Sequence, residues 1–461
     1  MIKKTTALAC ATAIAIAGFA TPAQAAEVTK REKVAYSNVF GDLHMRMPKT
    51  VDRIEYTTTT SEGEKAQVSG YIVEPVVEWK GKGPRPTVVI GRGTVGQGDQ
   101  CAPSKNWPLD GQPDPIKSKR LVNLEGIYDW VFASKGVRVV VTDYIGMGTP
   151  GVHTYMNRDD QAHAMLDAAR AAGVGDGPVA FYGHSQGGGA SAAAVEAAGD
   201  YAPELNVVGA YASAPPADLG AVQRNIDGSD LMGAIGFTIN GLLERYPHLR
   251  PLLDEHLNEE GKQALKDLST MCTGEITEKY GHRKTSEWTK SGKALDELLK
   301  DMPEAREAME DQRIGLKRPV APVMVISGRH DKNVEYNQAK ELARTWCAKG
   351  AQVEYRDDIM PPVGEYNHFI QAVTGGAFGI DFILQRFRGE PLGRTCEAPV
   401  GQLQGSVEGS AAMPNVIWKL KCHNVYYRLL LACHSWKQVP ARNSTQNAAK
   451  TYVSVVPFHS R

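Results

Sequence analysis

Residues 179–194 read Val-Ala-Phe-Tyr-Gly-His-Ser-Gln-Gly-Gly-Gly-Ala-Ser-Ala-Ala-Ala, and no other stretch constrains the fold so tightly. The apolar run at 179–182 has no polar alternation, as in a strand buried on both faces, and the Ala-rich run after Gly189 forms a helix. Between them, Gly183-His184-Ser185-Gln186-Gly187 leaves no room for a loop, so the chain must pass from strand to helix in one sharp turn. A serine at the apex of such a turn projects its hydroxyl above the end of the sheet. Gly183 and Gly187 leave space for the turn, and Gly188 and Gly189 let the helix pack close to the strands.

The rest of the chain builds a sheet around that strand. Short apolar runs at 87–90, 137–141, 207–210 and 323–326 have the same doubly buried character, and helical patterns such as 160–171 lie between them. The architecture is therefore α/β with a mainly parallel central sheet. Residues 56–74 hold two Thr-rich apolar runs around Ser61-Glu62-Gly63-Glu64, which predicts an antiparallel hairpin. From 217 to 318 the alternation stops. That stretch carries helical periodicity at 231–243, 252–268 and 295–309 and no strand, and it reads as a helical lid inserted over the sheet. Its apolar segment Leu231-Met232-Gly-Ala-Ile235-Gly-Phe237 suggests a hydrophobic acyl side for a substrate.

A serine hydroxyl at its ordinary pKa is a weak nucleophile; it needs an imidazole base, itself oriented by a carboxylate. After a strand-turn-helix serine, the acid and then the histidine follow in chain order. Asp331 ends the run Pro322-Val-Met-Val-Ile-Ser-Gly-Arg-His-Asp331, a buried strand running into a turn, and Glu335 is the second choice. Of 12 histidines, His330, His368, His423, His434 and His459 stand at suitable places after Ser185, the last three in an atypical C-terminal segment. His368 lies between a strand at 352–356 and a helix at 369–387, the loop where the base belongs. His184 and His330 adjoin these residues and are expected to line the site or satisfy local hydrogen bonds.

A developing oxyanion needs two backbone N–H donors. Gln186, after the serine, supplies one, and Thr94, in the loop Gly91-Arg92-Gly93-Thr94 after the strand at 87–90, supplies the other. The same loop spells Gly91-x-Gly93-x-x-Gly96, but Gly98, Cys101 and Pro103 follow instead of a helix start, and no strand-end acid follows about 20 residues on, so a dinucleotide fingerprint is rejected. Asp159, His163 and Asp167 fall at i, i+4 and i+8 of a helix and read as a solvated face rather than a metal set. No metal or cofactor is expected, and Trp107, Trp130 and Trp346 read as packing residues.

The ends of the chain differ from its middle. Lys3 and Lys4, an apolar run at 8–20 too short to span a bilayer, and Ala23-Gln24-Ala25 read as a signal peptide over residues 1–25. Export leaves Cys101, Cys272, Cys347, Cys396, Cys422 and Cys433, an even number in an oxidising compartment, and six cysteines allow 15 pairings. Residues 401–461 carry seven Lys or Arg against the single acid Glu408, and 397–461 read as an atypical basic tail. Over the whole chain 52 basic residues balance 52 acidic ones, so no global field recommends nucleic acid as a partner. The expected division is a signal peptide at 1–25, a core in two parts at 26–216 and 319–396, the lid at 217–318 between them, and the tail.

On these residues the chain resembles the secretory lipase family of α/β-hydrolases, the group typified by fungal lipase A, from about Lys30 to Cys396. The matching stretches are Cys101-Ala102-Pro103-Ser104, Asp143-Tyr144 with Gly146, the Ser185 elbow, Tyr201-Ala-Pro-Glu-Leu-Asn206-Val-Val-Gly209, and Cys347-Ala-Lys-Gly350. The resemblance implies an α/β-hydrolase fold and places a Ser, Asp, His triad on Ser185, Asp331 and His368. It also implies disulfides joining Cys101 to Cys272 and Cys347 to Cys396, with Cys422 and Cys433 paired together or free. The elbow differs from the Tyr and Gly that often flank the serine in fungal members, and no counterpart of the fungal C-terminal flap follows Cys396. The expected function is an exported or cell-envelope serine hydrolase for small-molecule or lipid esters, meeting a lipid interface without a transmembrane segment. A cell-envelope acyltransferase with the same triad and a non-catalytic binding protein on the same fold are the alternatives.

Overall fold

The computed structural model describes residues 26–37, 46–109, 125–358, 360–393 and 396. The signal peptide, the basic tail, Cys422 and Cys433 lie outside the described residues. Nine strands form one sheet: β1 Val28–Ala35, β2 Thr50–Thr59, β3 Lys65–Val73, β4 Thr87–Gly91, β5 Arg138–Ile145, β6 Val179–His184, β7 Val207–Ser213, β8 Val323–Gly328 and β9 Val353–Asp358. They lie in the order β1-β2-β3-β5-β4-β6-β7-β8-β9. The first three pair antiparallel and join β5 antiparallel, and every pairing from β5 to β9 is parallel.

Burial explains the strand sequences. In β4, β6 and β8 every residue is buried, so nothing selects for polar alternation, and helices cover both faces. Helices α1 Gly126–Ser134, α2 Arg158–Ala171 and α3 Gln186–Tyr201 belong to the first half of the core. On one face, Ala162, Met165 and Leu166 of α2 and the alanines of α3 pack against Val89, Val140 and Phe181. On the other, Trp130 and Phe132 of α1 pack against Ile90, Val141 and Tyr182. The strand β1 has no apolar run to announce it. Its charges lie at the sheet edge, where Lys33 pairs with Asp52 at 2.7 Å and Glu32 with Arg53 at 2.9 Å, and such charge discourages edge-to-edge association.

Seven helices lie between β7 and β8: α4 Leu219–Ile226, α5 Ala234–Leu243, α6 Leu249–His256, α7 Glu259–Leu268, α8 Thr273–Tyr280, α9 Leu295–Leu298 and α10 Pro303–Glu310. After β8 come α11 Tyr336–Ala348 and, after β9, α12 Asn367–Phe387. Two apolar patterns that read as continuous helices are broken. The 252–268 stretch stops at Asn258, whose side chain accepts from Gly261 N at 2.8 Å and caps α7. The 295–309 stretch restarts at Pro303, the first residue of α10. A second correction concerns Leu231, Met232, Ile235 and Phe237. They are buried with Leu265, Leu268 and Ile276 in a cluster of the insertion's helices that Tyr155 and Met156 complete, because a layer of short helices must bury apolar surface of its own.

Disulfides join Cys101 to Cys272, 171 residues apart, and Cys347 to Cys396, 49 residues apart. The first ties the segment after β4 to the insertion, next to a backbone bridge between Gly96 and Cys272. Replacing Cys272 with Ser is expected to lower stability by about 2–5 kcal/mol through the unfolded state's regained freedom. Denaturant unfolding of the oxidised proteins measures it, and an unchanged midpoint would contradict the structural role.

Candidate active site

Strand ends converge here because parallel strands all present their carboxyl ends at one edge, where the following turns collect. β6 delivers Ser185, whose backbone sits at φ 57° and ψ −124°, a conformation that costs a non-glycine residue on the order of 1–3 kcal/mol. Two hydrogen bonds hold it: Ser185 N donates to Ser213 O at 2.8 Å, and Gly189 N donates to Ser185 O at 3.0 Å. A Cβ on Gly187 would stand 2.0 Å from the Gly91 carbonyl oxygen, so the residue after Gln186 admits no side chain.

His368, the second residue of α12, brings its ring to the serine. Its Nε2 is 2.9 Å from Ser185 Oγ, and its Nδ1 is 2.7 Å from Asp331 Oδ2. Asp331, three residues past β8, also accepts through Oδ1 from the backbone N–H groups of Asn333 and Val334 at 2.8 and 2.9 Å. Both side chains are buried. Burial raises the Asp331 carboxyl, but the charge and hydrogen bond of His368 and the two backbone donors outweigh it and hold the pKa below its ordinary value. Burial lowers the His368 imidazole, and Asp331 overrides that in turn, with smaller help from Asp230 and Glu125, so its pKa is raised.

The remaining candidates take other places. Glu335 caps α11, accepting from Gln338 N at 2.9 Å. His184 stands with its ring 4.6 Å from that of His368, its Nδ1 2.9 Å from Ser213 Oγ, and burial holds its pKa well down. His330 is exposed. Gln186 is the first residue of α3, where backbone N–H groups have no intrahelical carbonyl. Thr94 lies on the loop after β4, with Oγ1 2.6 Å from the Tyr155 hydroxyl. Of the Asp159, His163 and Asp167 face, Asp159 stays partly exposed and pairs with Arg158 at 2.8 Å, while the other two are packed rather than solvated. Asp167 is buried and accepts from Thr58 and Tyr201, and His163 stacks on Tyr201 at 3.7 Å. That helix lies under β2 and beside α3, which its spacing alone does not reveal.

Three residues with no assigned role hold the neighbourhood. Buried Arg92 reaches Asp129 at 2.5 Å, the Tyr71 hydroxyl at 2.8 Å and the Glu125 carbonyl at 2.8 Å. The Glu125 carboxylate accepts from Gly93 N at 2.9 Å. His153 precedes Ser185, so a search for a base after the serine passes over it, yet its Nε2 lies 2.9 Å from Gln186 Nε2.

Among the described residues no helix is long and apolar enough to cross a membrane. An NMR titration of His368 is expected to give a midpoint above the ordinary imidazole value of 6.5. In Asp331→Asn the midpoint should fall, because the stabilising charge is gone; an unmoved midpoint would show that Asp331 does not govern the ring.

Comparison with known proteins places this geometry among relatives. A family model described as secretory lipase matches residues 122–395. A "probable inactive lipase" of Mycobacterium tuberculosis is 31% identical over 236 residues, 50% of this chain and 50% of its own. A secreted triacylglycerol lipase of Malassezia furfur is 24% identical over 315 residues, 66% of this chain and 62% of its own. The chain thus spans between half and two thirds of the length of these two curated relatives. Candida antarctica lipase A in its closed state superposes with a TM-score of 0.68 at 21% identity, covering 81% of this chain and 84% of that one. The rice cell wall degrading esterase LipA of Xanthomonas oryzae gives 0.63 at 18%, covering 78% and 99%. These likenesses establish the α/β-hydrolase fold.

Proposed function

The chain belongs to the secretory lipase family, and from that membership we propose an exported serine hydrolase that cleaves carboxylic esters through Ser185, His368 and Asp331. The observation that carries the reading is the hydrogen-bonded line from Asp331 Oδ2 through both ring nitrogens of His368 to Ser185 Oγ. Neutral His368 takes the serine proton as Oγ attacks the ester carbonyl, and Asp331 stabilises the resulting imidazolium. The oxyanion is received by the N–H groups of Gln186 and Thr94, the first at the positive end of α3. His368 then gives its proton to the departing alcohol, and water admitted to the same place releases the acid.

A lipid ester is the proposed substrate class. The family supports it, as does an apolar side chain at the base: the exposed Phe369 ring stands 5.6 Å from that of His368. In this reading that ring meets a lipid interface, the insertion acts as a lid, and residues 1–25 direct export, in keeping with the secreted relatives. The curated relative named as a probable inactive lipase favours a second reading, a non-catalytic protein on this fold. The complete Asp, His, Ser line weighs against it, and absence of labelling by a fluorophosphonate would restore it.

Ser185→Ala is expected to reduce release of p-nitrophenol from butyrate and octanoate esters by about 10⁴–10⁶-fold; wild-type turnover by that variant would end the hydrolase reading. The base must be neutral to accept a proton, and its pKa is raised. In the wild type, kcat/KM should therefore fall on acidification through a midpoint above 6.5, and a profile flat down to pH about 5 would exclude His368 as the base.

A further inference from the structure

Between β5 and α2 the chain passes through His153-Thr154-Tyr155, all buried, and the two rings, in edge contact with each other at 5.8 Å, reach two different residues beside the serine. His153 Nδ1 lies 2.9 Å from the Ile145 carbonyl oxygen. A carbonyl only accepts, so Nδ1 carries the proton and Nε2 a lone pair. At 2.9 Å from that lone pair, Gln186 Nε2 donates, and Gln186 Oε1 is buried with no partner. Burial pushes the pKa of His153 down to about 4, which keeps the lone pair available near neutrality. The Tyr155 hydroxyl is 2.6 Å from Thr94 Oγ1.

The segment is itself clamped. Gln97 Nε2 donates to the carbonyls of His153 and of Phe237 in α5, each at 3.0 Å. Gln97 Oε1 accepts from Asn240 at 3.1 Å. A Cβ on Gly241 would stand 2.5 Å from the Tyr155 carbonyl oxygen, so α5 lies directly on the segment.

We infer that residues 153–155 form a strap that positions both oxyanion donors, His153 through the side chain of Gln186 and Tyr155 through that of Thr94. The inference rests on the hydrolase reading above and adds two positioning residues to it. The bond from the Gln186 side chain to His153 adds a restraint to the residue that carries the first N–H. The bond from Tyr155 to Thr94 Oγ1 adds one to the bonds that Thr273 and Glu125 make to the same loop. The strap thus links the two donor residues through their side chains, alongside the glycine contacts that clamp the start of α3 and the Thr273 hydroxyl that donates to the Thr94 carbonyl. Because α5 rests on the strap, the insertion and the oxyanion site share a support.

The test compares Tyr155→Phe and His153→Leu with the wild type. Tyr155→Phe keeps the ring and its edge contact with Phe237 while removing the hydroxyl. Three readouts are needed: kcat and KM on p-nitrophenyl butyrate, the inhibition constant of n-butylboronic acid, and the thermal midpoint. The boronate forms a tetrahedral adduct on the serine and places an oxygen where the oxyanion would lie. Each variant is expected to lose about 10- to 100-fold in kcat, with KM within about twofold and the boronate constant weakened in step with kcat. Tyr155→Phe, expected to keep its fold, carries the decision should His153→Leu fail to fold. Unchanged kcat, a rise in KM alone, or boronate affinity unmoved while kcat falls would overturn the strap. A wild type without ester hydrolysis would instead refute the underlying reading, and the strap would fall with it.

Discussion

At the start of α3 three backbones approach so closely that side chains are excluded. A Cβ on Gly183 would meet the Gly187 carbonyl oxygen at 2.1 Å, one on Gly187 the Gly91 oxygen at 2.0 Å, and one on Gly188 the Ser213 oxygen at 2.2 Å. These contacts clamp the helix start between β4 and β7. The strained backbone of Ser185 persists because the packing around it determines its conformation completely. Once the serine is fixed there, Asp331 after β8 and His368 after β9 meet it in one hydrogen-bonded line, and the turn after β4 carries Thr94, the proposed second oxyanion donor.

Buried polar groups hold those turns more firmly than apolar packing could. The Arg92 guanidinium, with Asp129 and the Tyr71 hydroxyl, sits where the chain leaves β4. Bringing such a pair out of water costs several kcal/mol per ion, which its mutual attraction largely offsets, so the gain is in direction rather than stability. A hydrogen bond has a geometry and an apolar contact does not. Asp331 is held likewise by two backbone donors, and the Thr94 and Gln186 side chains by Tyr155 and His153.

The insertion has a different physical character. Most of its apolar core is its own, completed by Tyr155 and Met156, and it is tied to the rest by the Cys101 to Cys272 disulfide, the Gln97 contacts with α5, the Arg245 to Asp160 ion pair, the Gln312 side chain accepting from Arg158 N, and the Ser229 hydroxyl donating to Asn333 beside Asp331. A layer with a core largely of its own can move at less cost than one that shares a core. That property suits the lid role proposed for it, and its attachments touch both the oxyanion loop and the acid loop.

Local sequence determined the doubly buried strands, the hairpin, the sharp turn at Ser185 and the order in which an acid and a histidine follow it. Each depends on residues adjacent in the chain, whose burial and turn chemistry show in their types. Asp331 and His368 could be named because each lies just beyond a recognisable strand. The charged edge strand β1 and the packing of His163 and Asp167 were not legible, because what covers a residue is not written beside it. Nor were the breaks at Asn258 and Pro303, where a capping side chain and a helix-starting proline override apolar spacing. Only the tertiary structure decided that Leu231 and Phe237 are buried in the core between the insertion's helices and Tyr155, and that Arg92, His153 and Tyr155 reach the site. Their partners are brought near by the folding of distant strands, and hydrogen bonds between residues far apart in the chain leave no periodic trace in it.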